Sequence, residues 1–299
     1  MNADRVWIAG RVTGRDEARV SIDDRALRYG DGVFATLALR DGVLLEAERH
    51  LARLAKGCDR LGLRLPVEIA AARDLISILA RLGISGEEDR VVRVQVGAGA
   101  AGRRGWGRPD EAPPLLLVET FAPPEPRALQ VAVAGAGERL PVPALPDVKT
   151  CSGIAHVIAA GAAARHGADD VLRHADGVLT ETSAANVFWL DGDRLRTPSA
   201  DLPLYPGLTR ETVIRVAKEG DLDVEEGAWA PAAIRDARAA FLTNAVRGLG
   251  RVERLDGRPL EWPPCLAELE RAVERRRKEL GTPLSRASSP LPSGGGRPA

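Results

Sequence analysis

Cysteine is scarce in this chain. There are three among 299 residues, Cys58, Cys151 and Cys265, and no two share a paired spacing. That argues against a disulfide framework and against a zinc site, so no metal centre is expected. Net charge is missing too. Lys plus Arg number 42 and Asp plus Glu number 42, so no bulk field points to nucleic acid or an anionic membrane. No uncharged apolar run reaches membrane-spanning length. The start, Met1–Asn2–Ala3–Asp4–Arg5, lacks the charged-then-apolar layout of a secretory signal. No segment repeats. These absences lead to the expectation of a reducing, cytoplasmic location and a small-molecule substrate.

What is present is a globular composition, 44% hydrophobic and 28% charged, in a chain long enough for two domains or one large one. Residues 46–64 carry Leu51, Leu54, Cys58 and Leu61 on one helical face. His50, Arg53 and Lys56 run along an adjacent stripe, and Lys56 reads as surface. A second amphipathic helix is expected over 67–83. Strands are expected at 91–96 and 115–121. Tyr29–Gly30–Asp31–Gly32–Val33–Phe34 is a turn feeding a strand, its glycines permitting positive φ or close approach. Gly97–Ala98–Gly99–Ala100–Ala101–Gly102 spells a G-x-G-x-x-G. However, Arg103–Pro109 is a poor helix start, and the acidic residue about 20 positions on, Glu119, lies inside the next strand. A Gly- and Arg-rich loop that grips a substrate carboxylate is the better reading.

Pro-rich residues 122–128 form a stiff connector, giving a domain over 1–121 and a second over 129–281. Residues 282–299, rich in Ser, Pro and Gly, read as a disordered tail. Within the second domain, Lys149 follows the Pro-punctuated loop Leu140–Pro146 and precedes an apolar helical run over 154–165. Glu181 follows about 30 residues later, a βαβ-like span, between turn residues and the apolar strand 186–190. A lysine amine can hold an aldehyde cofactor as a Schiff base, and a carboxylate can pair with a protonated pyridine nitrogen. The plain alternative for both is surface charge. Pro206–Gly207–Leu208–Thr209–Arg210 opens a further helix, whose free N–H groups suit an anion. The strand 239–245 ends in Thr243 and Asn244.

These markers together resemble the class IV, or fold-type IV, pyridoxal phosphate (PLP) enzymes: branched-chain aminotransferases, D-amino acid aminotransferases and aminodeoxychorismate lyases. The resemblance runs from about Trp7 to Leu280. Its segments are Tyr29–Phe34, His50–Leu54, Lys149–Thr150, Glu181–Phe188, Pro206–Arg210 and Phe241–Asn244. It implies an α+β, D-amino acid aminotransferase-like fold, with a smaller N-terminal α/β domain and a larger C-terminal domain with a β-barrel-like core. It further implies PLP as cofactor and a homodimer. By resemblance Lys149 is the Schiff-base lysine and the base at the substrate carbon, and Glu181 is the partner of the pyridine nitrogen. Arg53, the N–H groups of Leu208 and Thr209, and Asn244 then lie at the phosphate.

Within the family, Asn244–Ala245 and Gly102–Arg103–Arg104–Gly105–Trp106 resemble the lyases. Ala35 stands where aminotransferases usually carry glutamate, and Ala98 falls near the arginine that D-amino acid aminotransferases use. The leading expectation is therefore conversion of 4-amino-4-deoxychorismate to 4-aminobenzoate and pyruvate, for folate synthesis. In it Arg104 binds a substrate carboxylate and Thr36 assists proton delivery. The alternative is an aminotransferase acting on branched-chain or other L-amino acids with 2-oxoglutarate, which Tyr29 as a substrate-binding residue supports. A cofactor-binding protein without turnover is the third reading.

Overall fold

The computed structural model describes residues 4–284, apart from 101–104, 109–111, 136 and 221. Two sheets divide the chain between them. Phe121 ends the last long strand of the first and Leu129 opens the second, so the Pro-rich connector lies between.

The first sheet has seven strands, and every pairing in it is antiparallel. Its centre is Gly32–Arg40, paired along its length with Arg90–Gly97. The helix Ala47–Leu61 packs on one face through Leu51, Leu54 and Cys58, which join Val33, Ala35 and Leu37 in a common core. The apolar face expected for this helix is thus buried; of the adjacent stripe His50 is buried, Arg53 half-buried and Lys56 exposed. The expected helix over 67–83 divides into a short turn, Val67–Ile69, and a helix, Ala72–Arg81. The Asp74 carboxylate accepts the Ala71 N–H at 3.0 Å and starts the helix there. One edge of the sheet is closed by Thr282–Pro283, which pairs with Val43–Leu44. Of the tail expected to be disordered from 282, residues 282–283 form this edge strand, and 285–299 lie outside the described residues.

The second sheet runs, from edge to edge, Val224–Gly227, Arg194–Pro198, Asn186–Asp191, Ala239–Asn244, Gly248–Leu255, Leu129–Val133 and Asp170–Leu172, with Arg258–Pro259 beside the fifth of these. Two parallel pairings meet at Leu129–Val133 and another joins the first two strands, so this sheet is mixed. Helices Leu208–Glu219 and Pro264–Glu279 cover one face over Phe188 and Phe241, with Val213 of the first helix in the shared core. Ile154–Arg165 packs separately over Ala132 and Val171.

A short segment ties the two halves together. Phe34 N–H donates to Lys149 O at 2.9 Å, and Cys151 N–H donates to Gly32 O at 2.8 Å. The lysine segment thus lies beside the start of the central strand, on the side that Val43–Leu44 leaves unpaired. Gly32 is needed for this approach: a Cβ there would meet Val96 O at 2.7 Å and Cys151 Sγ at 3.1 Å.

Candidate active site

The residues of that segment serve two cavities. Lys149 lines a cavity of about 380 Å³ with Phe34, His50, Arg53, Lys56, Tyr205 and Pro206. Thr150 and Ser152 line a separate cleft with Tyr29, Arg25 and Trp106.

In the cavity the Lys149 Nζ lies 4.4 Å from the centre of the Tyr205 ring and 5.5 Å from that of Phe34. Burial lowers its pKa from the ordinary lysine value; Glu181 opposes this, and Arg93 and Arg53 add to it. A lysine so placed carries a neutral, nucleophilic amine more readily than an exposed one. Lys56 lines the same cavity from an exposed position on its helix.

Glu181 is buried. Its Oε1 accepts from Arg173 Nη2 at 3.1 Å; its Oε2 accepts from the Tyr205 N–H at 3.1 Å and Asn186 Nδ2 at 3.4 Å. Burial raises its pKa to about 7, against the pull of Arg173, the Tyr205 N–H and Lys149. Tyr205 therefore touches both charges: its backbone holds the acid and its ring faces the amine.

Arg53 projects from the Ala47–Leu61 helix to Pro206 O and the Glu211 carboxylate, and its guanidinium stacks 5.6 Å from the Tyr205 ring centre. Pro206 leads into the helix Leu208–Glu219. Gly207, its N-cap, offers no capping side chain, so the first-turn N–H groups stay open to a ligand. The Thr209 Oγ1 beside them is buried without a hydrogen-bond partner. Gly207 is required by contact: a Cβ would lie 2.5 Å from Asn186 Oδ1, which accepts the Gly207 N–H at 3.2 Å.

Open helix N–H groups, an orphaned hydroxyl and a guanidinium are the donor set a phosphate needs. A buried carboxylate and a desolvated lysine add what a pyridine aldehyde needs. The residues present fit PLP.

The remaining expected residues are dispersed. Asn244 spends its side chain on its own turn, accepting the Val246 and Arg247 N–H groups at 3.1 and 2.8 Å and donating to Ala184 O at 3.4 Å. Its strand neighbour Thr243 has a buried Oγ1 without a partner. Tyr29 lies in the separate cleft, 5.2 Å from Trp106. Thr36 shares the strand face of Phe34 but is not among the residues lining the lysine cavity. Arg104 lies outside the described residues. Sequence reading missed Arg173, Asn186, Tyr205 and the contact of Arg93 with Phe34, whose ring centre is 4.0 Å from the guanidinium.

Residues 32–255 match the family model for amino-transferase class IV. The chain belongs to the class IV aminotransferase family. A putative branched-chain-amino-acid aminotransferase of Methanocaldococcus jannaschii is 28% identical over 290 residues, 93% of this chain and 96% of that one. A D-alanine aminotransferase of Listeria monocytogenes is 26% identical over 261 residues, 85% of this chain and 88% of its own. In structure, the branched-chain amino acid aminotransferase of Escherichia coli superposes with a TM-score of 0.82 at 19% identity, covering 93% of this chain and 95% of that one. A hypothetical aminotransferase of Mycobacterium tuberculosis, solved PLP-bound, gives 0.78 at 25% identity, covering 92% and 99%. This class IV protein is thus an enzyme of the two-domain α+β fold, and its cofactor is PLP. No helix among the described residues is long and apolar enough to cross a membrane.

Proposed function

We propose that this enzyme transfers amino groups between an aliphatic L-amino acid of the branched-chain type and 2-oxoglutarate. The supporting relatives named above are aminotransferases, so the balance moves from the lyase expected first to its alternative. The observation that carries the reading is the cavity itself, lined by Lys149 and Arg53 together with Val33, Phe34, Leu54 and Val148, which offer apolar surface to an aliphatic side chain.

When bound, PLP withdraws electrons from the amine-bearing carbon of the substrate. Lys149 takes the proton from that carbon, helped by the burial that lowers its pKa. Glu181 would pair with the ring nitrogen and hold a proton there. Arg53, the Leu208 and Thr209 N–H groups and the Thr209 hydroxyl grip the phosphate. The Phe34 and Tyr205 rings keep water from the amine. Arg93, over Phe34, supplies a cation for the second carboxylate of 2-oxoglutarate. A homodimer is the proposed assembly.

The test is direct competition between chemistries. PLP-loaded enzyme is offered L-leucine, L-valine or D-alanine with 2-oxoglutarate, and separately 4-amino-4-deoxychorismate. Glutamate formed from L-leucine or L-valine supports the proposal. Pyruvate and 4-aminobenzoate formed without an oxo acid acceptor overturn it in favour of the lyase; preference for D-alanine overturns the substrate class.

A further inference from the structure

The hairpin that carries Glu181 carries its counter-charge as well. His174–Ala175 pairs antiparallel with Val178–Leu179. Between them Asp176 and Gly177 are both left-handed, with φ of 48° and 80°, as a two-residue hairpin turn needs. This fold-back sets Arg173 beside Glu181. The Arg173 N–H donates to Glu181 O at 2.9 Å and the Thr180 N–H donates to Arg173 O at 3.0 Å. Their side chains meet at 3.1 Å and are only 1% and 6% exposed. The same guanidinium donates to Thr182 O at 3.0 Å and to Pro141 O at 3.1 Å. Pro141 belongs to the loop that leads into Lys149. One side chain therefore braces the acid, the chain just after it and the approach to the lysine.

We propose that Arg173 is a positioning residue for the reaction: it fixes the negative charge on Glu181, so that the proton between this acid and the cofactor's ring nitrogen stays on the nitrogen. The inference rests on the assignment of Glu181 to that nitrogen.

The physical reason is the cost of a buried charge. Removed from water, a carboxylate reverts to its neutral acid unless a partner holds the charge. A neutral Glu181 would keep the proton and leave the ring nitrogen uncharged, a weaker electron acceptor. Of the charged groups around it, Arg173 and Lys149 favour the ionised form, while Asp170 opposes it. His156, whose Nδ1 lies 2.7 Å from Ser183 O, has its pKa pushed down by burial, with Arg173 and Lys149 adding to the push. Arg173 touches the carboxylate itself. It therefore stabilises charge there more than it opposes charge one group further out. The dependence is mutual, since Arg173 without Glu181 would be a buried, unpaired cation.

The test follows two nuclei rather than turnover. Glutamate-labelled apoprotein gives the Glu181 carboxyl midpoint by carbon NMR, assigned through its absence in Glu181→Gln. Ring-labelled PLP gives the protonation of the ring nitrogen. In wild type and Arg173→Lys, Glu181 is expected to titrate at about 7, and the nitrogen to be protonated at neutral pH. In Arg173→Gln the midpoint is expected to rise by about one unit or more, roughly tenfold in the ionisation equilibrium, with the nitrogen signal moving towards neutral. Should Arg173→Gln fail to fold, wild type still answers. The Arg173 guanidinium signals must then titrate with the Glu181 midpoint, and guanidinium signals that ignore it overturn the proposal. If Glu181→Gln shifts the nitrogen signal but Arg173→Gln does not, this inference alone fails. If Glu181→Gln leaves the nitrogen protonated, the assignment of Glu181 fails and takes the inference with it.

Discussion

The two ends of the cofactor site are built in opposite ways. At the Glu181 end the ion pair with Arg173 is nearly sealed, with side chains 1% and 6% exposed. At the Arg53 end the ion pair with Glu211 is open, with side chains 23% and 39% exposed. The first pair flanks one hairpin, its two members eight residues apart. The second joins a helix of the first sheet to a helix of the second, across the join between the two halves. On the proposed placement of the cofactor, charge is fixed where the electrons go and left exchangeable where the phosphate docks. A sealed pair cannot trade partners cheaply. A solvated pair can, because its own contribution is small.

Substitutions can break this contrast, and the largest effect belongs to the residue between the two ends. Lys149→Ala is expected to abolish both the shift in absorbance that PLP undergoes on covalent attachment and turnover, while far-UV circular dichroism stays unchanged. Next, Glu181→Gln should lower kcat/KM by about 100-fold or more, as loss of a proton-holding group does, yet leave PLP dissociation within a few-fold. Arg53→Leu should do the reverse. PLP dissociation rises by about 10- to 100-fold, the loss of a charge-assisted hydrogen bond, with kcat at saturating PLP little changed. Titrating apoprotein with PLP separates these two cases. If both variants lose affinity equally, the contrast is wrong. Thr209→Val should weaken PLP by about three- to tenfold, one neutral hydrogen bond, without lowering Tm, because the hydroxyl has no protein partner to lose.

The smallest effect is on stability. Burial holds the His50 imidazole neutral, with its pKa pushed down to about 3 from 6.5. The unfolded chain binds the proton first as pH falls, so stability is full above 6.5 and is lost progressively towards 3. Urea unfolding of apoprotein across this window should show the loss, and His50→Gln should flatten it.

Much of this was legible in the residues. The Gly30–Gly32 turn, the Leu51–Leu54–Cys58 face, the Lys149 loop and the Pro206–Gly207 helix start all carry local signals, and local signals were enough to find them. What was missed depends on pairing. Gly248–Leu255 alternates only loosely and becomes a strand because Ala239–Asn244 offers it an edge. Arg173 is invisible as a site residue until Asp176–Gly177 is taken as a hairpin turn; that dipeptide was the available signal. Tyr205 gives no signal at all, since its role comes from a backbone N–H and a ring face. Asn244, expected at the phosphate, engages its own turn through its amide.

The central claim is that Lys149, and not the other lysine of the same cavity, carries the cofactor. Borohydride reduction of PLP-loaded protein, followed by peptide mass spectrometry, tests it most directly. The account expects the pyridoxyl mass on the peptide containing Lys149 and on no other. A label on Lys56, or one that survives Lys149→Ala, would contradict it.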